Sequence, residues 1–133
     1  IAAKLAHPER KVVAVTGDAG FLMNSQEIET AIRLNIAIVI LIWNDASYGL
    51  IEWKQQNQFG RTSNVKFGNP DFVQYAQSFG ATGVRVNKTE ELMSVLKEAL
   101  DRNTVTVIDC PVDYRENLKL TESLGQLTQQ TER

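Results

Sequence analysis

The chain predicts an α/β fold, a mostly parallel sheet with helices on both faces, and three observations carry that reading. Residues 12–15 and 36–43 are apolar runs rich in β-branched side chains without polar alternation, the pattern of strands buried on both faces of a parallel sheet. Between these and two shorter apolar runs lie segments whose apolar residues recur at helical spacing, so strands and helices alternate. Both long runs end in turn-forming or oxygen-bearing residues, Gly17-Asp18 and Asn44-Asp45, where open parallel sheets form their ligand crevice.

The first strand, residues 12–16, follows Ile1-Ala2-Ala3-Lys4-Leu5-Ala6, which reads as the last turns of an amphipathic helix without an initiator Met. The chain is therefore expected to begin inside a larger protein. Beyond the Gly17 turn, Asn24 and Glu27 have capping-box spacing, and Ile28, Ala31 and Ile32 mark a helix ending near Asn35. Residues 36–43 give the strongest strand signal in the sequence. Residues 48–58 are helix-like but poorly amphipathic, and 60–68 read as a loop. Asn69 before Pro70 predicts an N-cap with proline at the first helical position, and Phe72, Val73, Tyr75, Ala76 and Phe79 carry a helix that stops at Gly80. A short strand follows over residues 82–86. Thr89 is the expected cap of a helix bearing Leu92, Val95, Leu96, Ala99 and Leu100, and residues 104–109 close the sheet. One domain over residues 1–133 is expected, with a polar tail from about residue 115.

Composition narrows the partners. Fourteen basic against sixteen acidic residues give a net charge of −2 with no basic stripe, so nucleic acid is not an expected partner. No apolar run approaches the roughly 20 residues of a membrane span. Cys110 is the single cysteine, which excludes an internal disulfide and a cysteine metal cage and favours a reducing, cytoplasmic setting. At the end of an apolar strand it is expected to be a small buried hydrophobe rather than a nucleophile. His7 precedes a proline in a polar junction and is expected at the surface. Lys11, Arg33, Lys97 and Arg102 read as solvated charges, and Trp53 fits either the mouth of a site or the core beneath its helix.

Asp18 and Asp45, at the ends of neighbouring strands and beside a helix N-terminus, are a candidate site for Mg²⁺ together with a diphosphate. The bare pattern also occurs in phosphatases, receivers and nucleotide-binding folds, and each aspartate could be a plain turn residue. A dinucleotide fold is disfavoured because Gly17-Asp18-Ala19-Gly20 is not Gly-x-Gly-x-x-Gly. A receiver-like binding module is disfavoured because the strand over 105–109 is not followed by a lysine in the required place.

The run from Gly17-Asp18-Ala19-Gly20 through Glu27-Ile28-Glu29-Thr30-Ala31, with Trp43-Asn44-Asp45-Ala46-Ser47-Tyr48-Gly49-Leu50-Ile51, resembles the diphosphate-binding domain of thiamine diphosphate enzymes. Their hallmark is Gly-Asp-Gly, a spacer of this length and an Asn-Asn or Asn-Asp pair. Among them the chain is most similar to the acetolactate synthases, through Gly60-Arg61-Thr62-Ser63, Phe67-Gly68-Asn69-Pro70-Asp71-Phe72, Tyr75-Ala76-Gln77-Ser78-Phe79-Gly80-Ala81, and Pro111-Val112-Asp113-Tyr114 with Asn117.

The resemblance implies thiamine diphosphate and Mg²⁺ as cofactors. Asp18, Asp45 and the Ser47 backbone carbonyl would be metal ligands, and Gly17, Ala19, Gly20, Asn44, Tyr48, Gly49 and Leu50 would complete the cofactor site. Backbone N–H groups at Ala19, Gly20, Gly49 and Leu50 would meet phosphate oxygens. Two residues depart from the family pattern. Ala19 replaces a glycine and is expected at negative φ, with Gly20 giving the close backbone approach. Lys54 stands where biosynthetic members carry tryptophan and catabolic ones often glutamine, at a position bordering the substrate channel, so pyruvate and 2-ketobutyrate both remain open as acceptors.

The implied reaction joins two pyruvates, or related 2-keto acids, into 2-acetolactate with loss of CO₂. In this family the glutamate that activates the cofactor comes from a pyrimidine-binding domain of the same or a second subunit. No residue of this chain is expected to be catalytic by itself, and the parent is expected to be a homodimer or homotetramer. The other activity this resemblance allows is that of a related thiamine diphosphate decarboxylase or oxidase.

Overall fold

A computed structural model describes residues 1–114; the expected tail and Asn117 lie outside them. Four strands form one sheet in the order β1-β2-β4-β3, every pair parallel: β1 (Val13–Gly17), β2 (Val39–Asn44), β3 (Thr82–Arg85) and β4 (Thr106–Pro111). The short α1 (Ala2–Ala6) precedes β1. Between β1 and β2 lie α2 (Asp18–Met23) and α3 (Glu27–Arg33). Next come α4 (Gly49–Phe59) and α5 (Phe72–Ser78), and α6 (Leu92–Asp101) joins β3 to β4.

Side-chain alternation along β2 divides the core between two faces. Ile38, Ile40 and Ile42 pack with Phe21, Ile28, Ala31, Phe72 and Ala76 from α2, α3 and α5. Val39 and Leu41 face the other way, with Ile108 and Cys110, onto Ala99 and the partly buried Leu92, Val95, Leu96 and Leu100 of α6. The chain moves across the sheet in one direction from β1 to β3 and then back to β4. Crossovers of constant hand must then place α6 opposite α3 and α5, as observed.

Four local expectations are corrected. β1 is an edge strand, with Val13 37% and Val15 58% exposed, rather than buried on both faces. The expected capping box fails because a separate helix, α2, begins at Asp18 and α3 starts without a side-chain cap; Asn24 offers only its backbone carbonyl, to the Glu27 N–H. Asp71, not Asn69, caps α5, accepting from the Val73 and Gln74 N–H groups, so Pro70 lies outside the helix. Thr89 makes no side-chain cap and opens a 3-10 turn, Thr89–Glu91, ahead of α6.

Other readings hold. Gly80 ends the α5 segment at φ 81°, Cys110 is buried, and burial pushes its thiol pKa up. His7 is exposed. No described helix is long and apolar enough to cross a membrane.

Gly83 sets how closely α5 lies on β3, since a Cβ there would fall 2.5 Å from the Val73 carbonyl oxygen. Backbone cannot yield as a flexible side chain can. Gly83→Ala is expected to destabilise the chain by about 1–3 kcal/mol, read as a fall in thermal midpoint; an unchanged midpoint would show that α5 can shift without cost.

Candidate functional site

The carboxyl ends of β1 and β2 lie side by side, Gly17 registered against Trp43, so the residues that follow them meet above the sheet. Gly17 leaves β1 in extended geometry as the N-cap of α2, and Asp18, Ala19 and Gly20 form the first turn of that helix. Ala19 accordingly has negative φ, as expected. A Cβ on Gly20 would stand 3.0 Å from Thr16 Oγ1, so the glycine lets α2 sit tightly on the end of β1. On the other side Asn44 is the last residue of β2, Tyr48 is the N-cap of α4, and Gly49 and Leu50 begin that helix.

A cavity of about 740 Å³ opens between these segments. Every sequence-predicted site residue except Asn44 lines it: Gly17, Asp18, Ala19, Gly20, Asp45, Ser47, Tyr48, Gly49 and Leu50. Trp43, Ile51, Trp53 and Tyr114 complete the wall. Trp53 thus sits at the site mouth, its indole Nε1 buried and without a partner among the described residues. Lys54 is exposed on α4 and is not part of the wall.

Asp18 is 1% exposed, and three donors orient it. The Ala19 N–H donates to Oδ1 at 2.8 Å, while the Ala46 N–H and Asn69 Nδ2 donate to Oδ2 at 2.8 and 2.7 Å. The Ala19 N–H expected to meet a phosphate is therefore engaged by the neighbouring carboxylate. Ala46 delivers its N–H from the left-handed region, φ 52°, a conformation that costs an alanine about 1–2 kcal/mol. Ala19 is unstrained as expected, and the left-handed residue of the site is Ala46, which the sequence does not mark.

Asp45 Oδ1 accepts from the Ser47 N–H at 3.3 Å. A Cβ on Gly49 would fall 2.7 Å from Asp45 Oδ2, so a side chain at the start of α4 would push this carboxylate out of its present position. Ser47 is buried; its hydroxyl donates to Glu52 Oε2 at 2.6 Å and lies 3.3 Å from the Val65 carbonyl. Lys66 Nζ joins Glu52 at 2.7 Å, and the Lys66 and Ser47 hydrogen bonds hold the Glu52 carboxyl pKa below its ordinary value. The Ser47 hydroxyl is thereby committed to the protein, leaving its backbone carbonyl as the group to test as a ligand.

Desolvation pushes the Asp45 pKa up, the negative charge of Asp18 pushes it further, and the Ser47 N–H and Lys66 oppose this weakly. Tyr114, at the rim, has its phenol pKa raised by burial and then by the charges of Asp45 and Asp18. Among the described residues no lysine, arginine or histidine forms an ion pair with Asp18 or Asp45. Two adjacent carboxylates on a concave wall, in no ion pair among the described residues and opposed only by the more distant charge of Lys66, fit a hard divalent cation completed by ligand oxygens, the usual habit of Mg²⁺. No cluster of three or more acidic, histidine or cysteine residues suited to a metal occurs among the described residues, so the protein by itself would supply only part of a coordination shell.

A carboxyl whose folded pKa is raised opposes folding once it ionises. That penalty is absent below the unfolded value and fully present above the folded one. Asp45→Asn is therefore expected to raise the thermal midpoint of the metal-free chain at pH 7, with the gain shrinking as pH falls through the folded pKa toward 3.8. A pH-independent difference would contradict this origin.

Nothing in the sequence marks Asn69, Arg85 or Asp109 as part of the site, although all three belong to its hydrogen-bond network. Asn69 carried a signal that pointed elsewhere, to a helix cap, and Asp109 was hidden at the end of an apolar strand.

Comparisons with known proteins show the family and the fold. The sequence model of the family described as thiamine pyrophosphate enzyme, C-terminal TPP binding domain, matches residues 1–110. The acetolactate synthase of Bacillus subtilis (strain 168) is 45% identical over 132 residues, covering 96% of this chain and 23% of that protein. The catabolic acetolactate synthase of Raoultella terrigena is 45% identical over 127 residues, covering 96% of this chain and 22% of that protein. Among solved structures, the thiamine diphosphate-dependent 4-hydroxybenzoylformate decarboxylase of Rhodococcus jostii RHA1 superposes with a TM-score of 0.80 at 27% identity, over 87% of this chain and 22% of that one. The chain thus spans less than a quarter of the length of these relatives.

Proposed function

The chain belongs to the thiamine pyrophosphate enzymes as their C-terminal cofactor-binding domain, and from that premise we propose that it is the Mg²⁺- and diphosphate-holding domain of an acetolactate synthase. The observation that carries the metal reading is the pair Asp18 and Asp45, converging on one cavity with no ion-pair partner among the described residues. Asp18, Asp45 and the Ser47 carbonyl would hold Mg²⁺, which offsets the repulsion between diphosphate and carboxylates. Gly17, Ala19, Gly20, Tyr48, Gly49 and Leu50 would shape the diphosphate pocket around them, and Asn44, which does not line the cavity, would act from behind it. The 45% identity to two acetolactate synthases, against 27% to the decarboxylase, supports carboligation as the parent activity.

Thiamine diphosphate supplies the carbon nucleophile for attack on a 2-keto acid and takes up the electrons released with CO₂. The contribution of this chain is to anchor the cofactor, orient it and compensate its charge. Its described cavity wall carries no glutamate placed to activate the pyrimidine ring, so that group would come from a pyrimidine-binding domain of the same or a second subunit, in a homodimer or homotetramer. Apolar side chains left exposed here, Val15, Leu50, Ile51 and Phe59, are consistent with such a covering partner.

Product analysis tests the proposal. The full-length enzyme fed pyruvate, Mg²⁺ and thiamine diphosphate is expected to yield 2-acetolactate and CO₂, while the 133-residue chain alone yields neither. Acetaldehyde or acetyl phosphate as the main product would contradict the synthase assignment, and turnover by the chain alone would contradict the divided active site.

A further inference from the structure

Resting on the metal reading above, we propose that Asp109 is a positioning residue for Asp18, acting through the amides of Asn44 and Asn69. Arg85 Nε donates to Asp109 Oδ2 at 2.8 Å, and Asn44 Nδ2 donates to Asp109 Oδ1 at 2.9 Å. Asn69 Nδ2 donates to Asn44 Oδ1 at 2.9 Å and to Asp18 Oδ2 at 2.7 Å. The bonds run from the end of β3 across β4 and β2 to the first residue of α2.

The order of donors and acceptors along this line admits one arrangement. Asp109 and Asp18 are carboxylates that only accept, so the amide NH₂ group nearest each must face it. Asp109 draws the Asn44 NH₂ toward itself and thereby aims Asn44 Oδ1 at Asn69. That oxygen in turn requires the Asn69 NH₂, whose second hydrogen goes to Asp18. Turning either amide over would set oxygen against oxygen. The arrangement is kept although it leaves Asn69 Oδ1 buried and without a partner among the described residues. An amide oriented by packing alone would not hold an acceptor in that state; the two acceptors on its other side decide its direction.

Asp109 is 0% exposed and does not line the cavity, so its influence there must pass through the two amides. Arg85 balances its charge and also reaches Asp71, the α5 cap, at 3.5 Å. For Asp18 the result is unequal loading. Oδ2 receives two hydrogen bonds and Oδ1 only one, so the remaining acceptor capacity for a cation is concentrated on Oδ1. Groups that orient a metal ligand commonly contribute 10–100-fold to metal affinity.

A double-mutant cycle on the Mg²⁺ concentration for half-maximal thiamine diphosphate binding, measured by calorimetry on the full-length enzyme, tests the coupling. Asn69→Ala is expected to raise that concentration by about 10–100-fold and Asp109→Asn by about tenfold. Because both cut one line, the double variant should lie within roughly twofold of Asn69→Ala alone. Additive effects, or a wild-type midpoint in Asp109→Asn, would overturn the proposal; circular dichroism of each variant must match the wild type, so that a general loss of structure is not read as non-additivity. If Asp109→Asn does not fold, Asn44→Ala cuts the same line one link nearer and must show the same non-additivity with Asn69→Ala. Absence of Mg²⁺-dependent binding in the wild type would overturn the metal reading itself, and the inference with it.

Discussion

Asp18→Ala is expected to weaken Mg²⁺-dependent thiamine diphosphate binding by more than about 100-fold, beyond what the loss of an outer-shell partner costs. Asp18 is one of only two carboxylates on the cavity wall, and no third acidic group among the described residues stands ready to replace it. Its removal also strands the Ala46 and Ala19 N–H groups and one Asn69 hydrogen, so the turn after β2 loses its tie to α2. Asp18→Asn separates the two losses. It keeps the volume and one acceptor oxygen but not the charge, and a hard divalent cation selects for anionic oxygen. Binding should therefore be lost in both variants, while circular dichroism of the metal-free proteins stays that of the wild type. Retained binding in Asp18→Asn would mean that Asp18 positions the loop and is not a ligand.

Phe72→Ala is expected to cost about 3–5 kcal/mol of stability. Phe72 is fully buried at the start of α5, and its ring meets Phe21 of α2 edge to face at 5.5 Å. Phe21 also meets Tyr75 at 6.1 Å, so one aromatic cluster binds the helix that begins with Asp18 to α5. Native domains hold only about 5–15 kcal/mol in total. The thermal midpoint should then fall by roughly 10–20 °C, and the cavity left behind should loosen α2. A fall of only a few degrees would show that Phe21 and Tyr75 close over the gap.

Much of this architecture is legible in the sequence, for reasons that differ by element. The run over residues 36–43 announces β2 because a strand covered on both faces excludes polar side chains. Asp18 and Asp45 are legible as a pair because each directly follows a strand, and parallel pairing brings such positions together. β1 misleads for a related reason. Its valines report an apolar environment but not its source, and at the edge of this sheet Val13 and Val15 lack a cover within the described chain.

The caps fail because a local motif competes with distant partners. Asn69 has the residue type and the following proline of an N-cap, yet its NH₂ group is drawn to Asp18, 51 positions earlier, and Asp71 caps instead. Asp109 sits in a strand whose neighbours Ile108 and Cys110 are buried, and only the register opposite Arg85 gives it a counter-charge. Ala46 carries no compositional mark of its positive φ, which follows from the demand that its N–H reach Asp18. The two strand-end aspartates are therefore readable, whereas the hydrogen-bond network around them depends on contacts between residues far apart in the chain.

The central claim is that Asp18 and Asp45 form a metal-dependent half-site for the diphosphate. Calorimetric titration of the chain with thiamine diphosphate, with and without Mg²⁺ and alongside the full-length enzyme, tests it most directly. Binding that requires Mg²⁺, is stronger in the full-length enzyme and disappears in Asp18→Ala is the predicted result. Equal affinity with and without Mg²⁺, or full-length binding unaffected by Asp18→Ala, would contradict it.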